Sequence, residues 1–76
     1  MVKVYEWLNK EKARYYKITI ETYENTNIVI NYLWGGCHSN RGGRKNICVQ
    51  TEEEAHKCIA KMMRKRKSRG YELIAP

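Results

Sequence analysis

The sequence predicts an α+β fold: an antiparallel β-sheet of about four strands with one amphipathic, C-terminal α-helix packed on it. Three observations predict it. Residues 14–23 and 28–34 alternate side chains with period two, the mark of half-buried strands. Glu24-Asn25-Thr26-Asn27 between them is turn chemistry, so the two runs form a hairpin. Thr51-Glu52-Glu53-Glu54 then opens a stretch whose apolar residues recur with a period of about 3.6.

Taken in order, residues 2–8 mix Val2, Val4 and Leu8 with Tyr5 and Trp7 and run into the polar Asn9-Lys10-Glu11-Lys12, which reads as a first strand followed by a loop. The second strand places Tyr16, Ile18, Ile20 and Thr22 on one face and Tyr15, Lys17, Thr19 and Glu21 on the other. The third places Ile28, Ile30, Tyr32 and Trp34 opposite Val29, Asn31 and Leu33. Residues 35–43 hold four of the five glycines and are expected to be a loop, after which residues 45–50 resume a short strand through Ile47 and Val49. Thr51 is suited to cap the helix while the Glu54 carboxylate reaches back to it. Ala55, Cys58, Ile59, Met62 and Met63 share one helical stripe, with Lys57, Lys61, Arg64, Lys65 and Ser68 opposite. Three acids open the helix, residues 64–69 close it with cations, and Gly70 is placed for a left-handed cap. Tyr71-Glu72-Leu73-Ile74 can add a last short strand.

The chain of 76 residues is expected to form a single domain over residues 1–76, with a radius of gyration of about 11 Å and one thin core. Such a core leaves no room for a deep, walled active site, which argues against catalysis. Lys plus Arg number 15 against 8 for Asp plus Glu, and the resulting +7 attracts polyanions. The three cysteines, at 37, 48 and 58, lack a Cys-x-x-Cys pair and read as reduced thiols, with Cys48 and Cys58 as small buried residues. Lys3 and Glu6 interrupt the apolar N-terminus, so neither a signal peptide nor a membrane span is expected. A cytoplasmic protein is expected, or one associated with a nucleus or nucleoid.

Trp34-Gly35 at a strand end, the glycine-rich segment, Glu54-Ala55 at a helix start and Gly70-Tyr71 after the helix follow in an order that resembles the WGR (Trp-Gly-Arg) domain. Arg14-Tyr15-Tyr16-Lys17-Ile18 is also similar to that family's aromatic strand. The family is found in DNA-dependent poly(ADP-ribose) polymerases and in small or regulator-like bacterial proteins. The resemblance implies an antiparallel sheet with one helix and a DNA-end-sensing role in which Trp34 lies against a terminal sugar or base. The third motif position is Gly36 here, where the polymerases use Arg to connect DNA contact to neighbouring domains. Arg41 or Arg44 can supply a guanidinium from the same segment. Arg66 stands where the family often shows Lys; on the apolar side of the helix, its stem is expected to pack while its charge emerges at the edge.

Trp34 has two readings, a base-stacking residue or a large ring covering the end of a small core. Glycines from Gly35 onward let main-chain amides approach an anion beside Arg41, Arg44 and Lys45. Lys57, Lys61, Arg64 and Lys65 form a second basic stripe with no acid interleaved beyond the first helical turn. Cys37-His38 and His56-x-Cys58 lack the spacing that converges on a metal, so neither metal nor cofactor is expected. A nucleotide-hydrolysing loop motif is also missing. The expected function is non-catalytic binding of nucleic acid, DNA in preference to RNA, at ends, nicks or gaps, by a monomer. The rival reading is an interaction module that docks an acidic protein or an ADP-ribosylating enzyme supplied in trans.

Overall fold

The computed structural model describes residues 2–23, 27–38 and 41–75. Six elements follow one another: β1 (Val2–Asn9), β2 (Arg14–Thr22), β3 (Ile28–Gly36), β4 (Gly42–Val49), α1 (Glu52–Ser68) and β5 (Glu72–Ala75). The strands form one antiparallel sheet in the order β4-β3-β2-β1-β5. The expected α+β architecture is present, and the C-terminal segment adds a fifth strand by pairing with β1 across an irregularity at Glu6 and Trp7.

The period-two pattern decides what is buried. Trp7, Ile18, Ile20, Ile28, Ile30 and Tyr32 all fall on one face of the sheet and are buried together with Ala55 and Ile59 of α1. Cys58, Met62 and Met63 complete the helix side of this core. A single helix over five strands makes a slab of 40 × 24 × 16 Å, and the radius of gyration is therefore 12.9 Å, above the value for a sphere-like chain.

Two local expectations change. The glycine-rich segment is mostly strand: β3 continues through Gly36 and β4 starts at Gly42, leaving only residues 37–41 as the connection. Gly35 pairs with Gly42 and Trp34 with Gly43, so the glycines are ladder positions and not loop punctuation. The turn expected at residues 24–27 lies outside the described residues except for Asn27, whose carbonyl accepts from the Tyr23 N–H. Ser39 and Asn40 also lie outside them. Cys48 is exposed, because its partner Val29 places it on the sheet face away from the helix; Cys37 is exposed and Cys58 half-buried.

The helix begins as its capping sequence requires. The Glu54 N–H donates to Thr51 Oγ1 at 3.1 Å, and the Glu54 carboxylate accepts from the Gln50 N–H at 3.3 Å, one residue before the cap. At the other end Gly70 adopts φ +84°, and the Tyr71 N–H donates to the Arg66 carbonyl, turning the chain back towards β1.

Candidate nucleic-acid interface

Helix-side residues at one end of the sheet form a row across four strands: Trp7, Tyr16, Trp34 and Gly43 are paired in succession. Trp7 meets Tyr16 edge to face at 6.2 Å, and Tyr16 lies nearly parallel to Trp34 at 5.9 Å. The row closes with a residue that has no side chain, and the Trp34 indole fills that place. A Cβ on Gly43 would sit 2.6 Å from Trp34 Cζ2 and 2.8 Å from Cε2. The indole is thus held laterally by Tyr16 and β4 while the residue stays half-buried.

Beside this row the β1–β2 loop, the ends of β3 and β4, and the C-terminal end of α1 surround an open cleft of about 660 Å³. Trp34, Tyr15, Tyr16 and Tyr71 supply its rings, and Lys12, Arg14, Arg41, Arg66 and Arg69 supply its charge. No carboxylate lines it among the described residues. Four segments place these cations: Lys12 lies in the β1–β2 loop, Arg14 opens β2 opposite Gly36, Arg41 precedes β4, and Arg66 and Arg69 lie at the C-terminal end of the helix.

Asn9 ties the walls together. It is buried, its Nδ2 donates to the Arg69 carbonyl at 3.2 Å, and its Oδ1 accepts from the Lys12 N–H at 3.0 Å. The β1–β2 loop also passes through Ala13 at φ +50°, a conformation uncommon for a residue with a side chain. The Cys37 N–H donates to the Ala13 carbonyl at 2.7 Å, which fastens this loop to the β3–β4 connection.

Arg66 departs from its expected position. Its charge does not emerge at the helix edge: the residue is 9% exposed, with the guanidinium 4.3 Å from the Tyr16 ring centroid and 5.1 Å from that of Tyr71. Two π faces offset part of the lost hydration. Its Nε is buried without a hydrogen-bond partner among the described residues.

Of the residues singled out from sequence, Trp34, Gly35 and Arg41 line the cleft. Arg44 lies on the opposite face of the sheet, paired with Leu33, and Lys45 is exposed on β4, paired with Tyr32. Lys57, Lys61, Arg64 and Lys65 are exposed on α1 and do not line the cleft. The structure adds Lys12, Arg14, Arg66, Arg69, Tyr15, Tyr16 and Tyr71. Arg14, Tyr15 and Tyr16 were within reach of sequence reasoning, since the start of β2 in a β2–β3 hairpin sits beside the end of β3.

Burial pushes the Tyr16 phenol above its ordinary value; Arg66 opposes that shift and Tyr71 adds to it. Tyr32 is raised as well, first by burial and then by Cys58 and Tyr16. Between pH about 10 and these raised values the folded chain holds protons that the unfolded chain has lost, so stability falls as pH rises through that window. The thermal midpoint followed by circular dichroism is expected to drop above pH about 10, and less so in Tyr16→Phe. A midpoint insensitive to alkali would contradict this.

A WGR domain family model matches residues 4–75, and the chain belongs to the WGR domain family. WGR domains are non-catalytic modules, often for binding nucleic acid or protein. Comparisons with curated proteins and with solved structures give no match. Among the described residues no group of three or more His, Cys, Asp or Glu is arranged to hold a metal, and no helix is long and apolar enough to cross a membrane.

Proposed function

We propose that this chain binds DNA ends, nicks or gaps without catalysis, by seating a terminal nucleotide in the cleft beside Trp34. The observation that carries the reading is the composition of the cleft: five cations and four aromatic rings with no carboxylate among the described lining residues. Aromatic faces take a base or sugar at about 1–3 kcal/mol per stacked base, and the guanidinium groups donate to phosphate oxygens. The exposed cations of α1 extend the field to neighbouring phosphates. With Gly36 in the third motif position, the guanidinium groups of the cleft wall come from Arg14, Arg41, Arg66 and Arg69.

The test is fluorescence anisotropy of labelled blunt duplex, gapped duplex and single strand over a salt series, with wild type and Trp34→Ala. Ended or gapped duplex is expected to bind most tightly, with log affinity falling by about 0.9 per log unit of salt for every phosphate contacted. Trp34→Ala is expected to lose about 1 kcal/mol or more while circular dichroism shows it folded. Absence of binding to any nucleic acid at low salt would overturn the reading.

One observation favours a protein partner as the second reading. Leu73 and Ile74 on the edge strand β5 are 45% and 57% exposed, which suits a protein interface and not a phosphate backbone. Heparin distinguishes the two, because it displaces a polyphosphate-bound chain but spares a shape-specific protein contact at moderate salt.

A further inference from the structure

The centre of the sheet face away from α1 lies outside the cleft, and it is organised. Register places two adjacent cross-strand rows there, Lys17-Leu33-Arg44 and Thr19-Asn31-Asn46, running over β2, β3 and β4. Together they line a shallow groove of about 570 Å³. Leu33, 41% exposed, forms an apolar floor with a cation on either side. Among the described residues no side-chain hydrogen bond or ion pair engages Arg44, Asn31 or Asn46. Lys17 meets Glu6 at 3.5 Å, but both are well exposed and the pair is screened by water. The acids of this face, Glu6, Glu21 and Glu72, lie on β1, near the end of β2 and on β5, so Arg44 is the one charged residue of its β3–β4 half among the described residues.

We propose that this groove binds single-stranded DNA, as a path for a strand that continues beyond an end seated in the cleft. The two sites are contiguous: Tyr15, Gly35 and Gly42 form the next row of the same face and also line the cleft. Successive rows are about 7 Å apart, two residues along a strand. A strand crossing them meets Tyr15 and Leu33 as apolar surfaces for bases, Lys17 and Arg44 as phosphate contacts, and two carboxamides able to pair with base edges. A mixture of two cations, two amides and one leucine fits a polyanion carrying hydrogen-bonding edges better than an apolar protein surface.

The path from the cleft rests on the DNA-end reading, but the groove is tested without it. The probe is a short, covalently closed single-stranded DNA circle, which has no end for the cleft. Wild type, Arg44→Glu and Asn46→Asp are compared on the circle and on a blunt duplex; both positions are exposed on an edge strand, and circular dichroism checks folding. Arg44→Glu is expected to weaken the circle about tenfold while changing the blunt duplex no more than about twofold, with Asn46→Asp acting in the same direction on the circle. A circle that wild type does not bind, or that Arg44→Glu binds as well as wild type, overturns the proposal. Tighter binding of an RNA circle overturns its assignment to DNA. Failure of the end reading shows separately, as a blunt duplex whose affinity Trp34→Ala leaves unchanged.

Discussion

Gly42→Ala is expected to destabilise the fold by about 3 kcal/mol and to lower the thermal midpoint by about 10–20 °C. A Cβ at position 42 would run into the carbonyl oxygen of Trp34 and sit 3.1 Å from the Gly35 Cα. Both obstacles are main chain, so no rotamer change relieves them; β3 and β4 must separate at the lip of the cleft. A total stability of about 4–11 kcal/mol is usual at this chain length, which makes the loss a large share of it. Gly43→Ala is the informative contrast. Its new methyl meets the ring of Trp34, which can swing, so stability should fall by less while DNA affinity falls because the indole has moved. Thermal melts and anisotropy on the two variants check both halves. A Gly42→Ala midpoint equal to that of the wild type would show that the β3–β4 ladder yields at no cost.

Arg66→Met is expected to keep the fold and weaken DNA binding about tenfold or more. The methionine retains an unbranched stem between Tyr16 and Tyr71 and removes the charge, and replacing a buried charge by an apolar group of similar volume is often neutral or stabilising. Arg66→Ala removes the stem too and is expected to cost about 2–4 kcal/mol, because the two rings lose what they pack on. Melting points rank wild type and Met above Ala, whereas affinities rank wild type above both. An Arg66→Met variant that binds like wild type would assign Arg66 to packing alone.

Much of this architecture could be read from local pattern. The alternation from Tyr16 to Ile20 and from Ile28 to Tyr32 names the buried face correctly, and Thr51 with Glu54 marks the helix start. Glycine was the misleading signal. Gly42 and Gly43 read as punctuation, although their lack of side chains makes room for the chain opposite, a role that depends on cross-strand register and is invisible until the partner is known. The site was legible in part for the same reason. Trp34, Gly35 and Arg41 are near one another in sequence, but Arg66 reaches them only because α1 ends beside β2, and Asn9, in a polar run, gave no hint of being a buried brace. Charge periodicity pointed instead to the opposite, exposed side of the helix.

The described walls of the cleft come from residues 9–16, from 34–38 with 41–42, and from 66–71, stretches that only the complete sheet and its helix bring together. No hairpin bearing the Trp-Gly pair contains the site. Whatever occupies the cleft therefore holds the folded chain against the unfolded one, by about 2.7 kcal/mol at a hundredfold excess over its dissociation constant. Beside a total of about 4–11 kcal/mol, that increment is a substantial share, and occupancy becomes a determinant of how long the molecule persists as well as of what it recognises.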